Sequence, residues 1–373
     1  MTAARARERT EALLVESGVR VDGDEPWDPI IKHPRVFPRL VRDGTLGLGE
    51  SYVDGDWDCE ALDELATRVL RAGIDRHVGP GWREIADSVV GRFVDRQAIA
   101  PASWNASRHY DLGDDLYAAM LGPTMVYSCG YWRTAETLDD AQRAKIDLAC
   151  TKLELGRGHS LLDIGCGWGE LARHAAAQYG AKVVGVTVSR NQAEHAHARC
   201  AKLSVDVRLQ DWRRVRARFD RVVSIGMFEH VGPRNYRRFF RHVRDLLAPD
   251  GLFVLQTIGG LRETATIDAW IDHHVFPGAV LPTAAQITAA IDGLFVIEDW
   301  HNLGAYYDRT LMAWHDNFER AWPSLKHYGE RFRRKWRYYL LTCAGAFRAR
   351  RNQLWQIVLS PEGHRGGYQR PLR

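Results

Sequence analysis

The chain has 373 residues, 45% of them hydrophobic and 26% charged, a globular balance that excludes a disordered or fibrous protein. It shows no apolar run near the roughly 20 residues of a membrane span, no apolar signal core in the amino-terminal MTAARARERTEALL, and no CxxC or Cys/His zinc spacing among its six cysteines, so a cytoplasmic protein with reduced thiols and no metal is expected. The net charge of +4 hides an asymmetry: residues 1–100 carry 14 Lys/Arg against 19 Asp/Glu, whereas residues 331–373 carry 11 Lys/Arg against the single acid Glu362.

The first elements are helical, followed by DPIIKHPRVFPRLVRDGTLGLGESYVDGDWDC, whose Gly, Pro and Asp content predicts turns and short elements. From Cys59 to Arg71, the residues Leu62, Leu65, Ala66, Val69 and Leu70 share one face of a helix. Residues 82–99 read as another helix, and Pro101 marks a boundary near residues 97–107. This divides the chain into a small, mostly helical amino-terminal domain (1–100) and a catalytic domain (101–373). Beyond the boundary strands and helices alternate: HSLLDIG, GELARHAAAQYG, AKVVGVTVS, RNQAEHAHARCAKLS, VDVRLQD, FDRVVSIGM and GLFVLQTIG. Such alternation predicts an α/β fold with a doubly wound, Rossmann-like sheet. Aromatic-rich, irregular residues 261–330 read as an insertion over the carboxyl ends of the strands, where these folds bind ligands. Further on, Arg331, Arg333, Arg334, Lys335 and Arg337 alternate with Phe332, Trp336, Tyr338 and Tyr339, which reads either as a solvated helix face or as a contact with anionic lipid or nucleic acid.

LLDIGCGWG, residues 161–169, follows the first apolar strand and opens a helix. Gly165 and Gly167, with Gly169, permit a tight turn and close backbone approach to a ligand. Asp163, at the strand end, can meet the cationic amino group of S-adenosylmethionine, and no phosphate-loop lysine trails the turn. S-adenosylmethionine is therefore the expected co-substrate. After the second strand Thr187, Ser189 and Gln192 can hydrogen-bond a ribose, or else cap the next helix. After the third, Asp211 can accept from an adenine amino group, while Trp212 can stack on the ring or belong to the core.

YSCGYW, LDIGCGWG, VVGVTVSRNQ, GMFEHVGPRNY, TIGG, HHVFPGAVLP, EDWHNLGAYYDRTLMAW and CAGAFRARRNQLWQ, in this order, resemble the cyclopropane-fatty-acyl-phospholipid synthases, relatives of the mycolic acid cyclopropane synthases. GTLGLGESYVDGDWDC resembles the small extra domain of the phospholipid enzymes, so nearly the whole chain is covered. The resemblance implies methyl transfer from S-adenosylmethionine to the double bond of an unsaturated phospholipid acyl chain. A carbocation forms, and a proton is then lost to bound bicarbonate as the ring closes. Within the family-like stretches Tyr127 and Ser128 are assigned to the cofactor. Cys129, Glu229, Ile258 and Tyr307 match the groups that hold the anion, Cys129 and Ile258 through their backbones. Gln256 departs from the pattern, standing where the family usually has His; it can donate to an anion but cannot titrate. Cys343, in TCAGAFRAR, joins the candidate site residues, although a thiol in an apolar helix is more often packing. Tyr131, Trp132, Phe228, Tyr306 and Tyr307 are candidates to face a developing cation.

The resemblance also implies a dimer and peripheral docking on the inner face of the membrane. Three other readings are weighed. C-methylation of a soluble metabolite, or acyl methylation without ring closure, is allowed by Gln256. A nucleic-acid methyltransferase is allowed by the basic tail, but no NPPY-type motif is present, so no nucleic-acid partner is expected. A non-catalytic lipid carrier is disfavoured by the joint presence of Cys129, Glu229 and Tyr307.

Overall fold

The computed structural model describes residues 2–76 and 113–371. The helix expected over 82–99 and the boundary expected near 97–107 lie outside them. In chain order the elements are α1 (Ala3–Leu14), β1 (Ile30–Ile31), α2 (Val36–Val53), β2 (Trp57–Asp58), α3 (Leu62–Arg71), α4 (Asp114–Leu121), α5 (Leu138–Lys152), β3 (Ser160–Ile164), α6 (Glu170–Tyr179), β4 (Lys182–Thr187), α7 (Arg190–Cys200), β5 (Val205–Leu209), β6 (Phe219–Ile225), α8 (Tyr236–Leu246), β7 (Leu247–Gly260), α9 (Ala269–His274), α10 (Ala284–Ile291), β8 (Val296–Asn302), α11 (Ala305–Leu325), α12 (Glu330–Arg348) and β9 (Asn352–Ser360). None of the described helices is long and apolar enough to cross a membrane.

The described residues form two compact units. The first takes in 2–76 together with 264–278 and 307–352; the second takes in 113–263, 279–306 and 353–371. Thus α9, most of α11 and all of α12, distant in sequence, complete the helical amino-terminal unit.

Within the first unit α12 packs on α3 and α2. The run expected to be turns holds α2, kinked at Gly44 (φ 59°, ψ −138°). Local composition argued against a helix there, but Val36, Phe37, Leu46, Tyr52 and Val53 are all buried, and their packing outweighs the weak propensity of the glycines. The charge asymmetry of the sequence also resolves inside this unit. Arg331 pairs with Asp54 and, at 3.5 Å, with Glu50. Arg334 meets Asp58 at 2.8 Å, and Arg351 meets Asp75 at 2.9 Å. Arg348 bridges Asp63 (2.6 Å) and Asp308 (2.9 Å). Arg334 and Arg337 donate further to the carbonyls of Tyr52, Trp57 and Glu60. Of these, Arg331, Arg334 and Arg337 belong to the stretch read from the sequence as a solvated face or a contact with anionic lipid or nucleic acid, and they lie against amino-terminal residues of this unit.

The second unit is built on a seven-stranded sheet in the order β5-β4-β3-β6-β7-β9-β8. The β5-β4-β3-β6-β7 portion is parallel, and β8 runs antiparallel to β9. One hydrophobic cluster joins Leu162, Ile164, Val222, Phe239, Phe240 and Phe253; another joins Leu161, Ala172, Ala175, Val223 and Val254. Successive residues of the central strands therefore bury opposite faces, as a doubly wound sheet requires. The region 261–330, expected to be irregular, holds three helices and β8. The charged, aromatic pattern of VIEDWHN masks this edge strand, whose Val296 and Ile297 are 44% and 41% exposed.

Candidate active site

The glycine turn sits where β3 ends. Gly165 and Gly167 adopt φ +84° and +54°, and Gly169 (φ +85°) starts α6. The N–H groups of Gly165 and Cys166 both donate to Val186 O, at 2.9 and 3.1 Å, which ties the turn to β4. A Cβ on Gly169 would lie 2.8 Å from Cβ of Ala196, so α6 and α7 meet closely only because this side chain is missing. Trp168 packs on Tyr117 (5.1 Å between centroids), which meets Tyr127 edge-on at 5.6 Å.

Asp163 lies beneath this turn, 3% exposed, and its Oδ2 has no hydrogen-bond partner among the described residues. Burial pushes its carboxyl up to about 7, against the opposing pull of Lys145. A buried carboxylate oxygen left unmatched at the end of the first strand fits the ammonium of S-adenosylmethionine, whose adenosyl and amino-acid parts the glycine backbone would flank. Ser128, also buried, accepts from Lys145 Nζ at 2.7 Å, while its carbonyl accepts from Gln142 Nε2 at 2.7 Å.

Past β4, Thr187 Oγ1 donates to Gln192 Oε1 at 2.8 Å, and Ser189 caps α7 through the N–H of Gln192 at 3.3 Å. The capping role weighed for this stretch thus belongs to Ser189, and Thr187 and Gln192 hold each other. Asp211 accepts from Arg213 N–H (2.8 Å), Nε (2.9 Å) and Nη2 (2.7 Å). Burial raises its carboxyl, but these bonds outweigh that cost and hold it below the usual range. Trp212 packs edge-on against Phe239 (5.0 Å) at the margin of the core and meets Arg213 at 5.6 Å.

Glu229 follows β6. Its Oε1 accepts the N–H of Ile258 at 2.6 Å, and its Oε2 is buried without a partner among the described residues. Burial pushes this carboxyl up to about 7. The N–H of Ile258 is therefore committed to Glu229, and its carbonyl accepts from Thr257 Oγ1 at 3.1 Å. Gln256, on β7 and 1% exposed, accepts through Oε1 from Gln356 Nε2 at 3.2 Å. This contact fixes the amide so that its NH2 is the end left to donate. Cys129 is fully buried, its thiol turned to Gly130 O at 3.2 Å. Tyr131 meets Tyr306 edge-on at 5.4 Å, whereas Phe228 stacks on Tyr236 at 4.4 Å inside the core.

Tyr307 and Cys343 belong to the first unit. There Tyr307 lies 4.5 Å from Phe347 and 6.1 Å from Trp314. Burial pushes the Cys343 thiol up to about 12, which keeps it protonated and a weak nucleophile at neutral pH. No group of three or more possible metal ligands occurs among the described residues.

A family model, the mycolic acid cyclopropane synthetases, matches residues 97–357. The chain belongs to this family. It is 47% identical over 349 residues to the cyclopropane-fatty-acyl-phospholipid synthase of Escherichia coli strain K12, covering 93% of this chain and 91% of that one. It is 33% identical to the tuberculostearic acid methyltransferase UfaA1 of Mycobacterium tuberculosis, covering 94% and 88%. Among solved structures, mycolic acid cyclopropane synthase CmaA1 in complex with SAH and CTAB superposes with a TM-score of 0.65 at 34% identity, covering 69% of this chain and 98% of that one. The protein is thus an S-adenosylmethionine-dependent methyltransferase of the cyclopropane-synthase type.

Several site residues escape sequence reasoning. Lys145 and Gln142 occupy the buried face of α5 with Ala141, Ile146 and Ala149, so a cation on an apolar stripe was the available signal. Gln356 lies in β9, a strand whose place beside β7 only the fold reveals.

Proposed function

We propose that this methyltransferase acts on the cis double bond of unsaturated acyl chains in phospholipids and converts it to a cyclopropane. The observation that carries this reading is the match to the Escherichia coli phospholipid enzyme across 93% of the chain, its amino-terminal region included. When bound, S-adenosylmethionine supplies an electrophilic methyl group. An alkene offers no acidic proton, so no nucleophile–base pair is needed. The site must exclude water, tolerate a cation on the acyl chain and remove one proton from the new methyl group.

Glu229 supports the last step. A carboxyl at about 7 is partly protonated at neutral pH and can donate to a bicarbonate ion or accept from one. Bicarbonate would take the proton; within the second unit Glu229 and Gln256 are the side chains assigned to hold it, with the backbone at Cys129, and for the Tyr307 hydroxyl the resemblance alone implies a part. The aromatic pair Tyr131–Tyr306 is assigned to the cation. Because the substrate lies in a bilayer, docking is peripheral, and the working form is taken as a homodimer.

Methylation without ring closure is a second reading, favoured by Gln256 in the family's His position and by the similarity to a tuberculostearic acid methyltransferase. Mass spectrometry and proton NMR of monounsaturated phospholipid vesicles incubated with enzyme and S-adenosylmethionine separate the two. Gain of one CH2 with loss of olefinic protons establishes cyclopropanation; gain of CH2 with an alkene retained establishes the second reading; unmodified lipid overturns both.

A further inference from the structure

The buried face of α5 carries two lysines with different surroundings. Lys152 is fully enclosed, but its Nζ lies at ion-pair distance, 3.1 Å, from the Asp299 carboxylate. Lys145 is 2% exposed, yet no carboxylate lies within ion-pair distance of it among the described residues. Its one hydrogen bond there is to Ser128 Oγ at 2.7 Å, which leaves two of three ammonium donors unused. Enclosing an ammonium costs several kcal/mol unless an anion compensates it.

The location explains the expense. Ser128 Cβ lies 4.0 Å from where Gly226 would carry a Cβ, just beyond β6. β6 pairs in parallel with β3, placing Val223 beside Asp163. Lys145, Ser128 and Asp163 therefore gather at the carboxyl ends of the same two strands, at the glycine turn. Among the described residues Asp163 presents a buried oxygen without a hydrogen-bond partner, and Lys145 presents ammonium donors with no carboxylate at ion-pair distance. The two groups feel each other's charge, Lys145 pulled down to about 8 by burial and Asp163 pushed up to about 7.

We propose that Lys145 is the counter-charge for the methionyl carboxylate of S-adenosylmethionine, acting with the Ser128 hydroxyl that it orients, while Asp163 receives the ammonium of the same amino-acid end. Ser128 Oγ accepts from Lys145, so its own O–H proton is directed elsewhere and can donate to a carboxylate. The zwitterionic end of the ligand then supplies both missing partners at once. This inference rests on the methyl-donor assignment but not on the acyl acceptor.

The test is calorimetric, contains no lipid, and so cannot fail for the wrong acceptor. The probes are S-adenosylhomocysteine, its decarboxylated analogue and 5′-methylthioadenosine. Wild type should bind S-adenosylhomocysteine about 30-fold or more tighter than the decarboxylated analogue, the scale of losing one partner of a buried charge pair. In Lys145→Met that gap should shrink to about threefold, with methylthioadenosine affinity unchanged. A wild type indifferent to the carboxylate overturns the proposal. So does a Lys145→Met variant that keeps the gap, or one that loses methylthioadenosine as severely as S-adenosylhomocysteine. If Lys145→Met fails to fold, Ser128→Ala decides: the gap must narrow, and an unchanged gap overturns the assignment.

Discussion

Glu229 and Ile258 are joined by a 2.6 Å hydrogen bond from the strand backbone to one carboxylate oxygen, while the other oxygen is buried and unmatched among the described residues. One oxygen thus holds the side chain in place against the strand. Glu229→Gln can still accept from the Ile258 N–H through its amide oxygen, so the fold and the glycine turn should survive. Turnover should fall by about 100-fold or more, the scale of a general acid–base contribution, with S-adenosylhomocysteine affinity within about threefold of wild type. Collapse of cofactor binding in the variant would remove Glu229 from the anion site.

The same substitution has a stability signature. A carboxyl raised to about 7 by burial holds its proton longer in the folded state than in the unfolded chain, where the ordinary value is near 4.5. Its stabilising contribution is present below about pH 4.5 and is lost as pH rises through 7. His230, pulled down to about 4 by burial, gives the opposite slope between about 4 and 6.5 and partly conceals the effect in the whole protein. The readout is therefore a difference. Wild-type minus Glu229→Gln unfolding free energy should fall by up to about 3 kcal/mol between pH 4.5 and 7. A flat difference would mean that Glu229 titrates in the folded protein as it does in the unfolded chain.

Gln256 accepts from Gln356 at 3.2 Å, so its amide is oriented by a neighbour rather than by chance. A histidine at 256 can keep that contact only as the neutral ring, through its unprotonated nitrogen; as an imidazolium it donates from both nitrogens, and Gln356 must turn its amide oxygen toward it. Gln256→His should therefore lower the bicarbonate concentration needed for half-maximal rate, by about tenfold if one neutral hydrogen bond becomes charge-assisted. Assays in bicarbonate-depleted buffer check this. An unchanged response would place the anion away from residue 256.

Much of this site can be read in the sequence because its signals are local. LLDIGCGWG supplies a strand, a turn with positive φ and a helix start within nine residues, with Asp163 near the end of that strand. Strand–helix alternation likewise gives the sheet. What escapes depends on contacts distant in sequence. Gln256 and Gln356 are 100 residues apart, and Arg348 meets Asp63 across 285. The helix α2 escapes for a different reason: its glycines and Pro38 argue against it locally, and only burial among the helices of its own unit supports it. Asp211 illustrates a third case. Its residue type suits an adenine amino group, and only the structure shows that Arg213, two positions on, donates to both carboxylate oxygens.

Arg348 ties α12 to α3 and α11 by pairing with Asp63 and with both oxygens of Asp308. The forked guanidinium makes three bonds, a geometry that an ammonium cannot reproduce. Arg348→Met should destabilise the amino-terminal unit by about 1–3 kcal/mol. Arg348→Lys should recover less than half of that loss. Because the side chain is 27% exposed, concentrated salt should shrink the difference without abolishing it. Thermal unfolding of the three proteins at two ionic strengths checks both statements; equal melting temperatures for Met and Arg would show that apolar packing alone joins these helices.

Lys152 and Asp299 give the sharpest test of the catalytic unit's stability. Both side chains are completely enclosed, 3.1 Å apart, with His301 Nδ1 3.5 Å from the ammonium and Arg370 Nε 3.2 Å from the second carboxylate oxygen. Removing one partner of such a pair leaves a buried charge without compensation, a loss of about 3–5 kcal/mol. Lys152→Met should approach the lower end, because Arg370, itself 60% exposed, still offers Asp299 a cation. Lys152→Met combined with Asp299→Leu removes both charges, so the double variant should be more stable than Lys152→Met alone. Chemical denaturation of the single and double variants measures the coupling directly. A double variant less stable than Lys152→Met would mean that Asp299 is held mainly by Arg370 and His301, and that Lys152 contributes through its aliphatic stem.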